Sequence, residues 1–390
     1  MKVLSYDFII VGAGIAGITM AEQVANILNK RVLLIDKRDH IGGNCFDYYN
    51  DDGILVHKYG PHIFHTNNTR VYNYLCLYTT WISYNHKVVG KIGDQLVPIP
   101  FNLISIDKCL PEISNRVKSA ILDEYEVNEK VPILEMKKSE NPIIVKLAHY
   151  VYENVFLHYT EKMWGLTPEE LDESVTARVP VQISYDCRYF QDIYQGIPRE
   201  GYTQMFSNML SNHNINILLQ KDYHDIISVD YDEKKIYLYD EEFTGELIFT
   251  GMIDEFFDYK YGPLPYRAMV FMDETSNQER FQDNATINYP NDYHFTRITE
   301  YKYLTGQVSD KTTVQFEFPE EYDHMNKDAN IPAYPIPQKK NEELYSKYRL
   351  LADEFEHVTF IGRLAEYKYM NMDVVVEKVL NLVSEKYMGV

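Results

Sequence analysis

Three glycines near the start of the chain have the spacing of a phosphate-binding turn. Gly12, Gly14 and Gly17 form a Gly-x-Gly-x-x-Gly pattern directly after the apolar run at residues 5–11. In such a turn the first glycine permits a tight bend, the second lets a pyrophosphate approach the backbone, and the third lets helix and strand pack. The free N–H groups of the following helix favour negative charge there. The pattern predicts a dinucleotide site, and the alternative is a purely structural turn.

An acidic residue and a second pair of glycines follow. Asp36 ends the apolar run RVLLIDK, where a carboxylate can accept hydrogen bonds from ribose hydroxyls and disfavours a 2′-phosphate. The segment HIGGN at 40–44 follows at once, and FIGR at 360–363 precedes another helix. This arrangement resembles the FAD-binding flavoproteins of the amine-oxidase and glutathione-reductase-like class. A helix N-terminus can stabilise negative charge on a reduced flavin. We therefore predict FAD as the cofactor.

Two histidines have the spacing of a metal pair. His62 and His65 form a His-x-x-His pattern within GPHIFHT. A zinc site needs at least a third protein ligand, and the sequence offers no further cluster of ligand residues. We predict no metal site.

The charge balance limits the class of ligand. Lys plus Arg total 38 and Asp plus Glu total 58, which gives a net charge of −20. A field of that sign repels nucleic acids and acidic membrane surfaces. An anionic small ligand must then be captured by a few locally placed arginines. The 34 tyrosines could supply hydroxyl donors to sugars and phosphates, or most of them are half-buried packing residues.

The cysteines and the apolar runs indicate a compartment. The four cysteines lie far apart with no Cys-x-x-Cys pair, so neither a zinc knuckle nor a disulfide framework is predicted. The apolar stretch from Phe8 to Ala21 is too short to span a bilayer and is not followed by a cleavage region. We expect a cytoplasmic protein.

The elements that must position these residues form an α/β framework. The run at 5–11, the helix ITMAEQVANILNK and RVLLIDK make a βαβ unit. Helical segments such as ISNRVKSAILDEY and PIIVKLAHYVYENVFLHYTEKMW fill the region from about 100 to 175. Later segments, namely KKIYLYD, ELIFTG, RAMVFMDE, ATINYP and TTVQFEF, predict a largely antiparallel sheet. The strand HVTFIGR and the amphipathic helix MNMDVVVEKVLNLVSEKY repeat the pattern of the first residues, a buried strand followed by a helix.

The predicted fold is therefore α/β, with a Rossmann-like FAD-binding domain, an inserted α-helical domain and an antiparallel β-sheet domain. We expect a discontinuous FAD-binding domain made of 1–80, 203–260 and 341–390. The helical domain is expected at 100–178, and the sheet domain at 81–99, 179–202 and 261–340.

A set of ordered motifs carries a more specific resemblance. Together with HIGGN and GPHIFHT, the chain contains YTEKMWG, RVPV, YQGIP, GYTQM, FTRITEYKY, YPIP and GRLAEYKYMNMD. In order and spacing these motifs resemble the UDP-galactopyranose mutase family from Tyr6 to about Val383. The resemblance implies an isomerase that interconverts the pyranose and furanose forms of UDP-galactose with no net redox change. Reduced FAD would attack the anomeric carbon through N5 and expel UDP, so cationic and hydroxyl donors must stabilise the diphosphate.

The resemblance also implies roles for individual residues. Arg178 and Arg297 match the arginines on the diphosphate, where a guanidinium binds in a bidentate manner. The segment 165–179 matches a mobile loop that carries Arg178 onto bound substrate. Further substrate-binding positions are Tyr189, Tyr334 and Tyr369 on the phosphates, Trp164 stacked on uracil, Tyr159 nearby, and Asn85 and Asn371 in the sugar or nucleotide pocket.

The cofactor residues follow from the glycine motif and the resemblance together. They are Gly12, Gly14, Ala16, Gly17, Asp36, Lys37, Arg38, Gly43, Asn44, His62, Gly251, Arg363, Met372 and Asp373. Of these, His62 is placed against the flavin, where it could steer N5 chemistry. The resemblance implies an unidentified electron donor, a homodimer, and a place in bacterial surface polysaccharide or O-antigen synthesis.

One position departs from the family pattern. The family has an aspartate two residues after the tyrosine that matches Tyr369, and this chain has Asn371. The change removes a negative charge and adds donors, so it could alter recognition of the sugar hydroxyls, or it is neutral drift. The same chemistry on dTDP-fucose or UDP-N-acetylgalactosamine stays open. An amine-oxidase-like flavin oxidase and a non-catalytic flavin sensor are the rival functions, and neither requires UDP binding.

Overall fold

The computed structural model describes residues 5–172, 179–326 and 330–389 of the chain. Its strands are β1 Phe8–Val11, β2 Val32–Ile35, β3 Asp47–Tyr49, β4 Leu55–His57, β5 Phe64–Thr66, β6 Trp81–Ser83, β7 Val88–Ile92, β8 Gln95–Ile99, β9 Lys130–Val131, β10 Val181–Gln182, β11 Tyr194–Pro198, β12 Ile215–Leu218, β13 Ile227–Asp230, β14 Lys235–Leu238, β15 Glu241–Phe243, β16 Glu246–Phe249, β17 Tyr266–Ser276, β18 Thr286–Asn288, β19 Arg297–Glu300, β20 Thr312–Glu321, β21 Pro332–Pro335 and β22 Val358–Phe360.

The α-helices of the same residues are α1 Ile15–Asn26, α2 Thr69–Leu75, α3 Leu103–Cys109, α4 Ser114–Glu124, α5 Ile133–Met136, α6 Pro142–Val151, α7 His158–Trp164, α8 Tyr202–Met209, α9 Ile253–Phe256, α10 Lys302–Thr305, α11 Lys339–Ala352 and α12 Met372–Leu382. Short 3₁₀ turns lie at Gly43–Cys45, Pro168–Glu170 and Tyr223–Asp225, and π-helical turns at Tyr152–Leu157 and Val383–Met388.

A five-stranded parallel sheet forms the first core, in the order β12-β2-β1-β16-β22. Alternate residues of β1 point to opposite faces. Ile10 packs with α1, α8 and α12, whereas Ile9 packs with α9 and α11. Because both faces are covered, the strands are continuously apolar and the sequence shows runs such as FIIV and VLLI. The predicted Rossmann-like α/β unit is confirmed.

A second, seven-stranded sheet has the order β21-β17-β20-β19-β18-β7-β8. Its neighbours are antiparallel except for β18 and β7, which pair in parallel. The predicted antiparallel sheet is therefore largely confirmed, with one parallel pairing where β7 joins from a distant part of the chain.

Two of the segments predicted for that sheet lie elsewhere. ELIFTG forms β16, which runs parallel between β1 and β22, and its Leu247, Ile248 and Phe249 are all buried. A continuous apolar run is typical of a buried parallel strand, and the antiparallel prediction for this segment was wrong. KKIYLYD forms β14 in a separate three-stranded sheet with β13 and β15.

The helical region packs onto β7 and β8 through buried apolar residues such as Ile106, Ile121 and Leu147. Asn102 begins α3 with a capping box to Ser105, and Asn141 caps α6 by accepting from the Ile143 N–H at 3.0 Å. The run from α6 through the π-helical turn at 152–157 into α7 is continuous. The proposed division into three domains stays a prediction. In the part of the chain described, no helix is both long and apolar enough to cross a bilayer.

Candidate active site

Two adjoining cavities bring most of the predicted residues together. The first, the glycine cleft, lies at the carboxyl ends of β1, β2 and β16 and has a volume of about 1400 Å³ with its open mouth included. Ligands bind at this edge of open α/β sheets. The predicted residues that line it are Gly12, Gly14, Ala16, Asp36, Lys37, Arg38, Gly43, Asn44, His62, Gly251, Arg363 and Met372.

Close contact between two backbone turns shapes the glycine cleft. A Cβ atom added to Gly43, whose φ is +56°, would lie 2.7 Å from the Gly14 Cα. A Cβ on Gly17 would lie 1.9 Å from the Gly12 carbonyl oxygen, inside the helix–strand contact. Gly17 therefore serves packing and does not line the cleft. Bare backbone on both sides leaves room for a pyrophosphate, as the motif predicts.

Asp36 and Arg38 are fixed at the rim of the cleft. The Asp36 carboxylate accepts from the Ala13 N–H at 2.7 Å and from the Arg38 N–H at 2.9 Å. Arg38 donates from Nη2 to Asn44 Oδ1 at 2.9 Å, and its guanidinium lies 4.7 Å from the Tyr59 ring centre. Its Nη1 is buried and meets no acceptor among the described residues. Because buried donors are normally hydrogen-bonded, this nitrogen is suited to a ligand oxygen.

His62 lies in the glycine cleft as a neutral ring. Its Nδ1 is 2.9 Å from the Gly60 carbonyl oxygen, which can only accept, so Nδ1 carries the proton. Burial, reinforced by His57, lowers the pKa of His62 to about 3. The backbone N–H of His62 donates to His57 Nδ1 at 3.0 Å. At neutral pH the Nε2 of His62 is therefore a hydrogen-bond acceptor.

Asp373, predicted to bind the cofactor, does not line the cleft. Its Oδ2 accepts from Thr66 Oγ1 at 2.7 Å, so the carboxylate ties the first turn of α12 to β5. Thr66 was not predicted from the sequence, although it lies within GPHIFHT.

The second cavity, the tyrosine pocket, has a volume of about 1820 Å³ with its mouth included. The predicted residues that line it are Tyr159, Trp164, Tyr189, Arg297, Tyr334, Tyr369 and Asn371. They come from α7, from the segment before β11, from the start of β19, from β21 and from the segment before α12. Elements far apart in the sequence thus converge on one cavity.

Arg297 is paired with a buried carboxylate. It stands opposite Glu317 across β19 and β20, and Nε lies 2.6 Å from Glu317 Oε1. The N–H direction does not meet hydrogen-bond geometry, so the contact is an ion pair. Burial opposes the charge on Arg297, but Glu317 outweighs it and raises its pKa well above the usual value. Sequence reasoning missed Glu317; the signal was an acid inside the strand run TTVQFEF.

Aromatic rings form one wall of the tyrosine pocket. Tyr334 and Tyr369 stack with their centres 5.6 Å apart, and Trp164 meets Tyr334 edge-on at 6.2 Å. The Arg363 guanidinium lies 4.7 Å from the Tyr369 ring centre and donates to the Met370 carbonyl at 2.8 Å. Burial raises the pKa of Tyr159, so its hydroxyl is a neutral donor.

A short segment separates the two cavities, with alternate residues on each side. Tyr369 and Asn371 line the tyrosine pocket, whereas Met370 and Met372 line the glycine cleft. Asn371 is the N-cap residue of α12, but its side chain makes no capping hydrogen bond. The amide is therefore available to a ligand.

Two predicted features lie outside this arrangement, and a third is divided between the two cavities. Asn85 is exposed and lines neither cavity. Arg178 and residues 173–177 of the predicted loop lie outside the described residues. His65 faces the tyrosine pocket, where it pairs with Asp192 at 3.0 Å and stacks on Phe190, so the two histidines of the motif belong to different cavities.

Known proteins share the sequence pattern and the fold of this chain. A family model described as UDP-galactopyranose mutase matches residues 154–369, and one described as an NAD(P)-binding Rossmann-like domain matches residues 10–76. The chain is 37% identical over 378 residues to a UDP-galactopyranose mutase of Mycoplasma genitalium, covering 96% of this chain and 93% of the relative.

Two further relatives extend the comparison. The chain is 34% identical over 378 residues to a dTDP-fucopyranose mutase of Escherichia coli, covering 95% of this chain and 96% of that protein. The crystal structure of a reduced UDP-galactopyranose mutase superposes with a TM-score of 0.74 at 14% identity, covering 100% of this chain and 95% of the other.

Proposed function

The chain belongs to the UDP-galactopyranose mutase family of isomerases, and we propose that it interconverts the pyranose and furanose forms of a nucleotide-diphosphate sugar, most directly UDP-galactose. The observation that carries this proposal is the tyrosine pocket, where the half-buried Arg297 faces a cavity walled by Tyr334, Tyr369 and Trp164. A permanent cation, phenolic donors and an indole suit a diphosphate joined to a flat base.

FAD is the proposed cofactor of the glycine cleft. The bare turns at Gly14 and Gly43 suit its pyrophosphate, Asp36 its ribose, and the unpartnered Nη1 of Arg38 a further oxygen. When bound and reduced, the flavin supplies a nucleophile for the anomeric carbon of the sugar. His62 presents a neutral Nε2 acceptor to that cleft, because its Nδ1 proton is held by the Gly60 carbonyl.

The residues of the tyrosine pocket have a defined task in this proposal. As the bond between sugar and UDP breaks, negative charge grows on the diphosphate, and Arg297 with the tyrosine hydroxyls stabilises it. The same contacts keep UDP beside the sugar until the bond forms again. Arg178 is proposed, from the sequence motif, as the second arginine of this set.

The identity of the sugar is a separate question, and Asn371 favours a second candidate. The similar dTDP-fucopyranose mutase makes turnover of dTDP-fucose a specific alternative. If Asn371 sets the choice, Asn371→Asp should raise kcat/KM for UDP-galactose relative to dTDP-fucose. Variant and parent with indistinguishable kcat/KM for both substrates would contradict that role.

Turnover by the purified flavoprotein tests the function. The protein is incubated with UDP-galactofuranose or dTDP-fucofuranose, with and without dithionite, and pyranose formation is followed by chromatography. We expect conversion only under reduction. Turnover of the thymidine sugar alone would change the assigned substrate and retain the proposed reaction. Turnover of neither substrate would refute the proposal. UDP should also raise the melting temperature by mass action, which a flavin oxidase or a flavin sensor does not require.

A further inference from the structure

The ammonium of Lys162 lies inside the loop that connects β18 to β19. Nζ donates to the carbonyl oxygens of Tyr289, Asn291 at 3.1 Å, Tyr293 at 3.0 Å and Phe295 at 3.4 Å. These are alternate residues, so every second carbonyl of the loop points inward. One cation from α7 therefore organises a loop that belongs to the sheet.

Lys162 adds a charged donor to a loop whose backbone also bonds from the Tyr293 N–H to the Asn291 carbonyl at 2.7 Å and from the Tyr289 N–H to the Thr296 carbonyl at 2.8 Å. An ammonium supplies three N–H bonds together with a full charge, so the four inward carbonyls share its donors. Around it the rings of Tyr289, Tyr293 and Phe295 pack against one another with centres 4.7 to 5.2 Å apart. Burial lowers the pKa of Lys162 to about 8, against the opposing charge of Asp292, so the group is still protonated at neutral pH.

Both partners of this contact border the tyrosine pocket. On α7, Tyr159 precedes Lys162 by one turn and Trp164 follows it by two residues; both line the pocket, whereas Lys162 does not. The loop ends at Arg297, which also lines it. A second link joins the same parts, because Asn291 Nδ2 donates to the Asn154 carbonyl at 3.1 Å.

We infer that Lys162 is a positioning residue of the substrate site, because its ammonium fixes the loop before Arg297 to the helix that carries Trp164. The inference rests on the proposed function, in which the base and the diphosphate of one ligand span those two side chains. Without the cation, the carbonyls of Tyr289, Tyr293 and Phe295 lose this donor, while that of Asn291 keeps the Tyr293 N–H at 2.7 Å. The loop and the helix then lose their charged link. The predicted result is weaker binding of the nucleotide diphosphate.

The chain offers a matched control. Lys302 on α10 is buried, whereas Lys162 is half-buried, and it also donates to a carbonyl, that of Ser309 at 2.7 Å, but it lines neither cavity. Lys162→Met and Lys302→Met are compared with the parent as FAD-loaded proteins. Their UDP dissociation constants are measured by calorimetry, alongside melting temperature and flavin absorbance.

We expect Lys162→Met to keep its flavin absorbance and to raise the Kd for UDP about tenfold, the loss typical of a charged hydrogen-bond set. Lys162→Arg should recover part of the affinity, because a guanidinium also donates to several oxygens. Lys302→Met should melt earlier but bind UDP as the parent does. If Lys162→Met does not fold, Lys162→Gln replaces it, with at least a threefold loss of affinity expected.

Parent-like UDP affinity in Lys162→Met or Lys162→Gln would overturn the positioning role. An equal loss of affinity in Lys302→Met would also overturn it, since the effect would then follow stability alone. Failure of the parent itself to bind either UDP or dTDP would instead refute the proposed function, so the two failures can be told apart.

Discussion

At the scale of single residues, the Arg297–Glu317 ion pair decides the charge that the tyrosine pocket offers to an anion. Glu317 is 1% exposed and Arg297 is 27% exposed, and removing the carboxylate leaves a half-buried positive charge uncompensated. We expect Glu317→Gln to lower the free energy of unfolding by about 3 kcal/mol, measured by urea denaturation. UDP should then stabilise the variant more than the parent, because its diphosphate supplies the missing negative charge.

Glu321, at the exposed end of the same strand, provides the control. Glu321→Gln should leave both quantities unchanged. Parent-like stability of Glu317→Gln would show that the ion pair contributes nothing to the free energy of unfolding.

Asp254 links stability to pH. Burial raises its pKa to about 6, although its Oδ2 accepts from the Leu264 N–H at 2.7 Å. The folded state therefore retains a proton that the unfolded chain has already lost above about pH 4. The stability that this proton provides is present below that pH and is lost as the pH rises through 6.

Asp254→Asn removes this dependence, because the amide is neutral at every pH and can still accept from Leu264. We expect the variant to be more stable than the parent by about 1–3 kcal/mol near neutral pH, with the difference shrinking towards pH 4. Urea denaturation at both pH values measures it, with the exposed Asp232→Asn as control. An equal difference at both pH values would contradict the pKa assignment.

At the scale of elements, the contact between Gly14 and Gly43 is open to a direct test. Gly43→Ala would place a Cβ 2.7 Å from the Gly14 Cα, whereas Gly53→Ala imposes a similar positive φ with nothing within 4 Å. Both carry the left-handed strain of about 1–2 kcal/mol. We expect Gly43→Ala to purify with less than half of the parent flavin content and Gly53→Ala to keep it. Equal flavin content in both variants would show that the close contact between Gly14 and Gly43 is not needed for cofactor binding.

The elements also show how far the sequence could be read. The βαβ unit and the glycine turn are encoded by local patterns, so the structure of residues 5–36 could be predicted from their own sequence. ELIFTG was assigned to the wrong sheet. Its strand pairs with β1 and β22, which are distant in sequence, and no local pattern indicates this pairing. Glu317 and Lys162 were missed for the same reason, since their partners lie on other elements. Arg297, Tyr334 and Tyr369 were identified because the ordered motifs resemble a known family. Their spacing along the chain alone does not indicate that they meet in one cavity.

At the scale of the whole molecule, the net charge of −20 opposes the approach of an anionic nucleotide. Salt screens this long-range repulsion more than it weakens contacts inside a buried pocket. We expect the association rate constant of UDP, followed by stopped-flow flavin fluorescence, to rise severalfold between about 20 and 200 mM NaCl. Uncharged uridine should show no such rise. A rate constant for UDP that falls with salt would mean that the local arginine field dominates the encounter.

The segment from Tyr369 to Met372 separates the two cavities with alternate side chains, and this gives the protein a way to diversify. Under the proposed function, substitutions at 369 and 371 would change what the substrate meets while the residues facing the cofactor stay the same, and the reverse would hold for 370 and 372. Sugar preference could then change by point mutation without altering the side chains that face the cofactor.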